Sequence, residues 1–415
     1  MDNGLQGLRV LDLTRGQAMI GGQMLARLGA DVVQVEPPAG SATRSATAPL
    51  WTAFATGKRG ISCNLESPQG RALLAKLALI ADVLIHDESA AVMKACGLSW
   101  AQLQPTHSRL MHVSISPFGE TGPKSGYEAT DLIVWAAGGA LWPSRDGERP
   151  PLRISSDQAF LHAGADAAVG ALAALAAREQ TGRGQQVTVA AVESVAQATL
   201  SSVLAAQVGH ADFSLVGGAQ AKAGSRKQLD LSGSGARTRR SKWVVKDGLV
   251  ELHLAMGPAA GRFTNNLFAW LRSIDACDQR FAGWDWARAL PQMIEQGEVT
   301  DDDLEHARAQ VAAAFSRFTR AELLEVSMKH RVLLAPVMSV ADLATNWHLH
   351  ERQAFVDVVG VNGERQRMPA PVTGTASPRA ALRPAPAIGE HNGEVYSEIG
   401  LDTTRLAQLK QQGVI

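Results

Sequence analysis

Apolar residues at the start of the chain come in short, nearly unbroken runs, a pattern that predicts strands buried on both faces. Leu8-Arg9-Val10-Leu11-Asp12-Leu13 is the first such run. Asp31 to Glu36 is the second, closed by Pro37-Pro38. Between them Met24, Leu25 and Leu28 recur at helical spacing, and Gly29 stands where a helix C-terminal glycine belongs. This makes a β-α-β unit with short connections, for which a right-handed crossover is the default. The alternation continues. Gly60 to Leu65 reads as a strand, and Ser67-Pro68 as an N-cap with proline at the first helical position. A helix to about Ile80 leads to strands at Asp82–His86 and Leu110–Ser116. Asp157 to Gln180 reads as a long Ala-rich helix ended by Gly182-Arg183-Gly184. A strand at Gln185–Val192 and a second apolar helix to about Val208 follow.

The pattern changes near residue 215. Residues 217–242 are rich in Gly and Ser and hold Lys222, Arg226, Lys227, Arg237, Arg239, Arg240 and Lys242, which reads as a mobile loop and a domain boundary. Residues 243–254 predict a strand pair turning at Lys246-Asp247-Gly248, and 262–332 predict helices, with one charged helix over 301–326. From about 335 to 395 Pro and Gly are frequent, and the chain is expected to return along the first domain before a short helix at 402–412. The expected organisation is α/β: a large domain begun by 1–220, a small domain over 221–335, and a return segment, 336–415, that completes the large domain.

Composition narrows the function classes. The 415 residues carry 40 Lys+Arg and 40 Asp+Glu, and 46% are hydrophobic. A mainly disordered chain is excluded, and the absent basic excess disfavours a dedicated nucleic-acid binder. Cys63, Cys96 and Cys277 are far apart and form no CxxC pair, so neither a zinc ribbon nor a disulfide framework is indicated. No metal site is expected, and the cysteine usage suits a reducing cytoplasm. The apolar stretch 159–177 carries His162 and Asp166, which suits a buried helix better than a membrane span. Gly16-Gln17-Ala18 is not GxGxxG, which disfavours a nicotinamide dehydrogenase.

Six segments in order carry a family resemblance: GLRVLDLTRGQA, GGQMLARLGADVVQVEPP, GKRGISCNLESPQGRALL with ADVLIHD, VSISPFGETGP, GALAALAAREQTGRGQQVTVA and PAPAIGEHNGEVYSEIGL. Together they resemble the class III CoA-transferase family, which includes formyl-CoA transferase, carnitine CoA-transferase and α-methylacyl-CoA racemase. The resemblance implies a Rossmann-like large domain built from both chain ends, a smaller middle domain, and two subunits interlocked like chain links. It implies transfer of CoA from an acyl-CoA thioester to a free carboxylic acid, with an enzyme aspartate attacking the thioester to form a mixed anhydride. No tightly bound cofactor is implied; the coenzyme A thioester is a substrate.

The residues expected to carry that chemistry are only partly present. Counted back from Gly170, the family aspartate falls on Phe160. Asp157, three residues earlier, is the candidate replacement, with helix capping as its competing role; Asp166, six residues later, is a weaker one. Gln17 aligns with a Gln that contacts the acyl or carboxylate group. Lys58-Arg59 matches a basic pair near the CoA adenine and phosphates, and Lys94 stands beside Ala95, where a basic residue is usual. Asp87-Glu88 replaces an Asn-Phe pair, and Glu128 replaces a Lys. Ser232 to Gly235 sits where an active-site glycine loop is expected. Thr130, followed by Asp131, stands at the racemase His position, which disfavours racemase chemistry.

Two readings stay open. In one, the chain is an autonomous homodimeric transferase using Asp157. In the other, which we prefer, it is the silent partner in a hetero-oligomer with a homologous subunit, which resembles succinyl-CoA:(R)-benzylsuccinate CoA-transferase of anaerobic toluene breakdown. In that case CoA need not be held by this chain. No membrane or nucleic-acid partner is expected.

Overall fold

The computed structural model describes residues 4–46, 48–141, 150–200, 204, 207, 241–360, 363–369 and 382–415. The chain divides into two compact units, Met1–Leu215 with Leu349–Ile415, and Val216–His348.

The first unit is built on a parallel sheet of β1 (Arg9–Asp12), β2 (Asp31–Glu36), β3 (Arg59–Ser62), β4 (Val83–His86), β5 (Met111–Ser116) and β6 (Gln186–Ala190), in the order β3-β2-β1-β4-β5-β6. Successive side chains on a strand point to opposite faces. Val10, Val32, Val83 and Ile85 therefore enter one core, and Leu11, Val33 and Leu84 enter another. The first core is closed by the helices Ile20–Arg27 and Ala159–Thr181. These two helices meet backbone to backbone: a Cβ on Gly21 would stand 2.6 Å from the Gly164 carbonyl oxygen. The second core is closed by the helix Pro68–Ala78 together with Val395, Tyr396, Leu409, Val414 and Ile415 from the chain's end.

The C-terminal stretch also covers the sheet edge at β3. The Gly57 N–H donates to Arg383 O at 2.9 Å, the His391 N–H to Gly60 O at 2.9 Å, and the Tyr396 hydroxyl to Ser62 O at 2.8 Å. An edge strand left open would be a template for pairing with other chains. A hairpin of β10 (Phe355–Val359) and β11 (Arg365–Pro369) lies in the same unit, and Arg27 donates to Pro369 O at 2.9 Å.

The second unit carries β7 (Lys242–Val245), β8 (Gly248–Leu252) and β9 (Leu334–Val337), an antiparallel sheet in that order. Its core gathers Trp243, Phe268, Trp286 and Phe315. The single charged helix expected over 301–326 is two helices, Asp301–Phe315 and Arg320–His330. Thr319 starts the second through a reciprocal cap: its hydroxyl accepts from the Glu322 N–H at 3.2 Å, and Glu322 accepts from the Thr319 N–H at 2.7 Å. The return segment expected from 336 also begins later. Among the described residues β9 pairs only with β8, and Pro336 is tolerated there because an edge strand can forgo one N–H. The helix after β6 runs over Ala191–Gln197, and Leu200, Leu204 and Gln207 are helical again. The Gly- and Ser-rich stretch, with Ser232 to Gly235 and most of the basic run, lies outside the described residues.

Two histidines are buried side by side on β4 and β5, His86 and His112, with ring centroids 4.9 Å apart. Burial pushes His86 down to about 3 from an ordinary 6.5, and pushes His112 down as well. The unfolded chain then binds the extra proton, so the His86 contribution to stability is full above about pH 6.5 and lost as pH falls toward 3. Urea midpoints measured from pH 7.5 to 5 should fall more steeply for the wild-type chain than for His86→Leu; equal slopes would refute the buried neutral state.

Candidate functional site

The strand order reverses between β1 and β4, and open α/β sheets take ligands in the crevice outside the carboxyl ends at such a point. Residues just after β1 and β4 therefore stand on its lips.

Beneath the β1 lip lies a fully buried polar cluster. The Lys58 ammonium donates to Asp12 Oδ2 at 2.7 Å, to Gln34 Oε1 at 2.8 Å and to the Met19 carbonyl at 3.0 Å. Asp12 Oδ1 accepts from the Thr14 N–H at 2.9 Å and its hydroxyl at 2.6 Å. Gln34 Nε2 completes the cluster by donating to the Asp12 and Thr14 carbonyls. Burial pushes the Lys58 ammonium down, and the Asp12 charge opposes it. Gly22 is required beside this pair, because a Cβ there would stand 2.0 Å from Asp12 Oδ2.

Across the crevice mouth runs an ionic bridge. Arg15 follows β1, and its N–H donates to Asp87 Oδ2 at 3.0 Å. Its guanidinium reaches Asp87 Oδ1 at 3.5 Å and Glu88 Oε1 at 3.2 Å. Burial pushes the Asp87 carboxyl up to about 6, and the Arg15 charge opposes the shift.

A third feature is the start of the helix Ala159–Thr181. Its first free N–H groups are capped from another helix. Asp131, in the first turn of Asp131–Ala137, accepts on Oδ1 from the Gln158 N–H at 2.8 Å and the Ala159 N–H at 2.6 Å. Its Oδ2 is buried with no hydrogen-bond partner among the described residues. Phe160 lies in the first turn and packs on the first core. Asp157 lies outside the helix, exposed and paired with Arg153.

Residues 5–392 match the sequence model of CoA-transferase family III. The chain belongs to that family. It is 30% identical to the succinyl-CoA:(R)-benzylsuccinate CoA-transferase subunit BbsE of Thauera aromatica, over 98% of this chain and 97% of the relative. It is 27% identical to formyl-CoA:oxalate CoA-transferase of Streptomyces avermitilis, with 100% of each chain covered. The succinyl-CoA–D-citramalate CoA-transferase of Chloroflexus aurantiacus is also 27% identical, over 99% of this chain and 98% of the relative. Among solved structures, a CaiB/BaiF family protein from Brucella suis superimposes with a TM-score of 0.77 at 23% identity, covering 96% of this chain and all of that one. Rv3272 from Mycobacterium tuberculosis gives 0.71 at 22% identity, covering 94% and 98%. These two likenesses bear on the fold alone.

Against the residues that the CoA-transferase resemblance selects, the structure makes several corrections. Lys58 is not available to a phosphate: its three N–H donors meet three protein acceptors in the core. Arg59 is also committed, to Asp31 at 2.6 Å and Glu398 at 2.9 Å. Asp31 is the first residue of β2, so this guanidinium is turned away from the carboxyl ends. Asp157 does not cap the helix, whose N-cap is Gln158; the capping carboxylate is Asp131. His162 is exposed on the helix Ala159–Thr181, with its ring edge-on to Trp135 at 6.4 Å. Gln17 is half-buried in the turn Gly16–Met19 right after the β1 lip. Lys94 is exposed in the last turn of the helix Ala90–Ala95, and Glu128 is exposed. Asp131 was the overlooked residue. Its signal was an acid opening a helical run, but only the fold brings it to the other helix.

Two outcomes test this site. Lys58→Met leaves the Asp12 carboxylate buried without its cation and should cost about 3–5 kcal/mol, while the double change Asp12→Leu/Lys58→Met should recover part of that loss in urea melts. Asp131→Ala should cost about 1–2 kcal/mol through the lost helix cap, with Asp131→Asn milder. A Lys58→Met chain as stable as wild type would refute the structural role of the cluster.

Proposed function

We propose that this chain is the silent partner of a two-chain class III CoA-transferase. The assembled enzyme moves CoA from an acyl-CoA thioester to a carboxylic acid, and the homologous subunit supplies the nucleophile. In that subunit an aspartate oxygen bonds to the acyl carbon while the C–S bond breaks and CoA leaves as the thiolate. The resulting anhydride carries the acyl group through the exchange.

The observation that carries this reading is Phe160. A benzyl side chain packs in the helical turn where the family places its carboxylate, and a ring cannot attack a thioester. Asp157 offers no substitute, because it is exposed, outside the helix and held by Arg153. The helix Ala159–Thr181 lends further support. It is long and apolar enough to cross a membrane by length and composition, yet only 39% of its apolar stretch is buried within this chain. Val169 on its outer face is 60% exposed, and Leu132 and Ile133 on the helix Asp131–Ala137 are exposed too. An apolar surface of this kind suits a subunit interface, and an interlocked arrangement with a homologous chain would cover it. Relatives named for succinyl-CoA with benzylsuccinate, citramalate or malate support a succinyl donor and a dicarboxylic acceptor.

The test is a hydroxylamine trap. The assembled enzyme, turning over acyl-CoA, is treated with hydroxylamine and mapped by mass analysis. The modified aspartate should lie in the homologous subunit, the purified chain alone should not turn over, and Asp157→Asn should leave the assembled activity within about twofold, well under the loss expected from removing a nucleophile. A hydroxamate on any carboxylate of this chain would sink the proposal.

A further inference from the structure

The crevice at the β1/β4 reversal is where a sheet of this order would take a nucleotide. In this chain its two lips are tied together. Arg15 leaves β1, Asp87 and Glu88 leave β4, and the contacts at 3.0, 3.2 and 3.5 Å span the gap between them. The Asp87 and Glu88 side chains are only 16% and 19% exposed, so their charges are poorly screened by water. The bridge sums to one negative charge, from two carboxylates against one guanidinium.

Two further cations on this side of the sheet are committed as well. The Lys58 ammonium is held on Asp12, the last residue of β1. Arg44 grips Glu36, the last residue of β2, with two contacts of 2.7 Å, and also donates to Pro386 O. Each of these three cations is therefore already paired with a carboxylate at a strand's carboxyl end. A polyanionic nucleotide would have to displace Arg15 from both its acids and then face those acids unpaired.

We propose that the Arg15–Asp87–Glu88 bridge is a lock that closes the switch-point crevice of this chain to the phosphates of coenzyme A. This rests on the silent-partner reading and deepens it, by naming what keeps the substrate on the other subunit. The groups that act on Asp87 are Arg15, Glu88 and Asp12, and its neighbour His86 is held neutral by burial. Burial dominates and brings the carboxyl up to about 6, so the lock loses a charge within reach of neutral pH. Below that point Asp87 is a neutral acid, the bridge sums to zero, and the crevice stops repelling anions.

The probe is coenzyme A itself, titrated calorimetrically at low salt into the purified full-length chain and into Asp87→Asn/Glu88→Gln. At pH 7.5 the variant should bind at least about tenfold more tightly than wild type, and at pH 5.5 the ratio should shrink toward one. Titration of the ligand's own phosphates is common to both proteins and cancels in the ratio. Glu88→Gln alone should give an intermediate gain, which keeps the test in force if the double variant does not fold. Equal affinities at pH 7.5 would overturn the lock. That result would leave the silent-partner reading standing, since a chain can hold CoA and still lack the nucleophile, whereas a trapped hydroxamate in this chain would end that reading whatever the binding data.

Discussion

The carboxyl side of the sheet depends on one buried ion pair, Lys58 with Asp12. Both side chains have no solvent exposure, and a charge taken that far from water is tolerable only when paired and fully hydrogen-bonded. The pair meets that condition by drawing in Gln34, Thr14 and the Met19 carbonyl. The cluster thereby joins the end of β1, the middle of β2, the entry to β3 and the turn that starts the first helix. A one-residue slip of β1 would turn Asp12 to the other face and leave the ammonium unpaired, so the cluster resists register errors as the hydrophobic faces do. Replacing such a pair with apolar residues is often neutral for stability, and its use here is better understood as specifying one arrangement of the crevice floor.

This explains why the sheet could be read from the sequence and the site could not. Runs such as Val10-Leu11 and Val32-Val33 announce strands because both faces need apolar cover, and all six parallel strands overlap the segments expected as strands, although β3, Arg59-Gly60-Ile61-Ser62, and β6, Gln186-Val187-Thr188-Val189-Ala190, are not such runs. The resemblance to CoA-transferases was likewise legible, being spread over the whole chain. The role of Lys58-Arg59 was not. Two adjacent basic residues look like one phosphate-binding pair, but successive side chains at the entry to a strand point to opposite faces. Lys58 goes to Asp12 on one side, and Arg59 to Asp31 and Glu398 on the other. Charge alone does not distinguish a cation reserved for a ligand from one consumed by the core.

Long-range partners were hidden for the same reason. Glu398 reaches Arg59, and Asp131 reaches the amides of Gln158 and Ala159, across spans of chain that no local pattern connects. The split of 301–326 into two helices was different, since Thr319 and Glu322 spell a reciprocal cap that local reading could have found. What separates the two cases is sequence distance: capping chemistry three residues apart can be read from one chain, whereas a cap supplied by another helix needs the fold.

If the attack is made by another subunit, as proposed above, the start of the helix Ala159–Thr181 is a site that has lost its reagent and kept its frame. A helix N-terminus stabilises a nearby carboxylate, and the exposed N–H groups demand an acceptor whether or not chemistry is performed there. Here Asp131 meets that demand from the side. Position 160 is thus free of any capping duty, and a ring there gains contact with the first core instead of costing the helix its start. The same logic holds at the crevice mouth. Once a chain need not bind a polyanion, acids after β4 cease to be a liability and can tie the two lips together through Arg15. On the silent-partner reading proposed above, Phe160 and the Asp87-Glu88 pair are two consequences of one relaxed constraint: where another subunit performs the attack, this crevice has only to hold its shape.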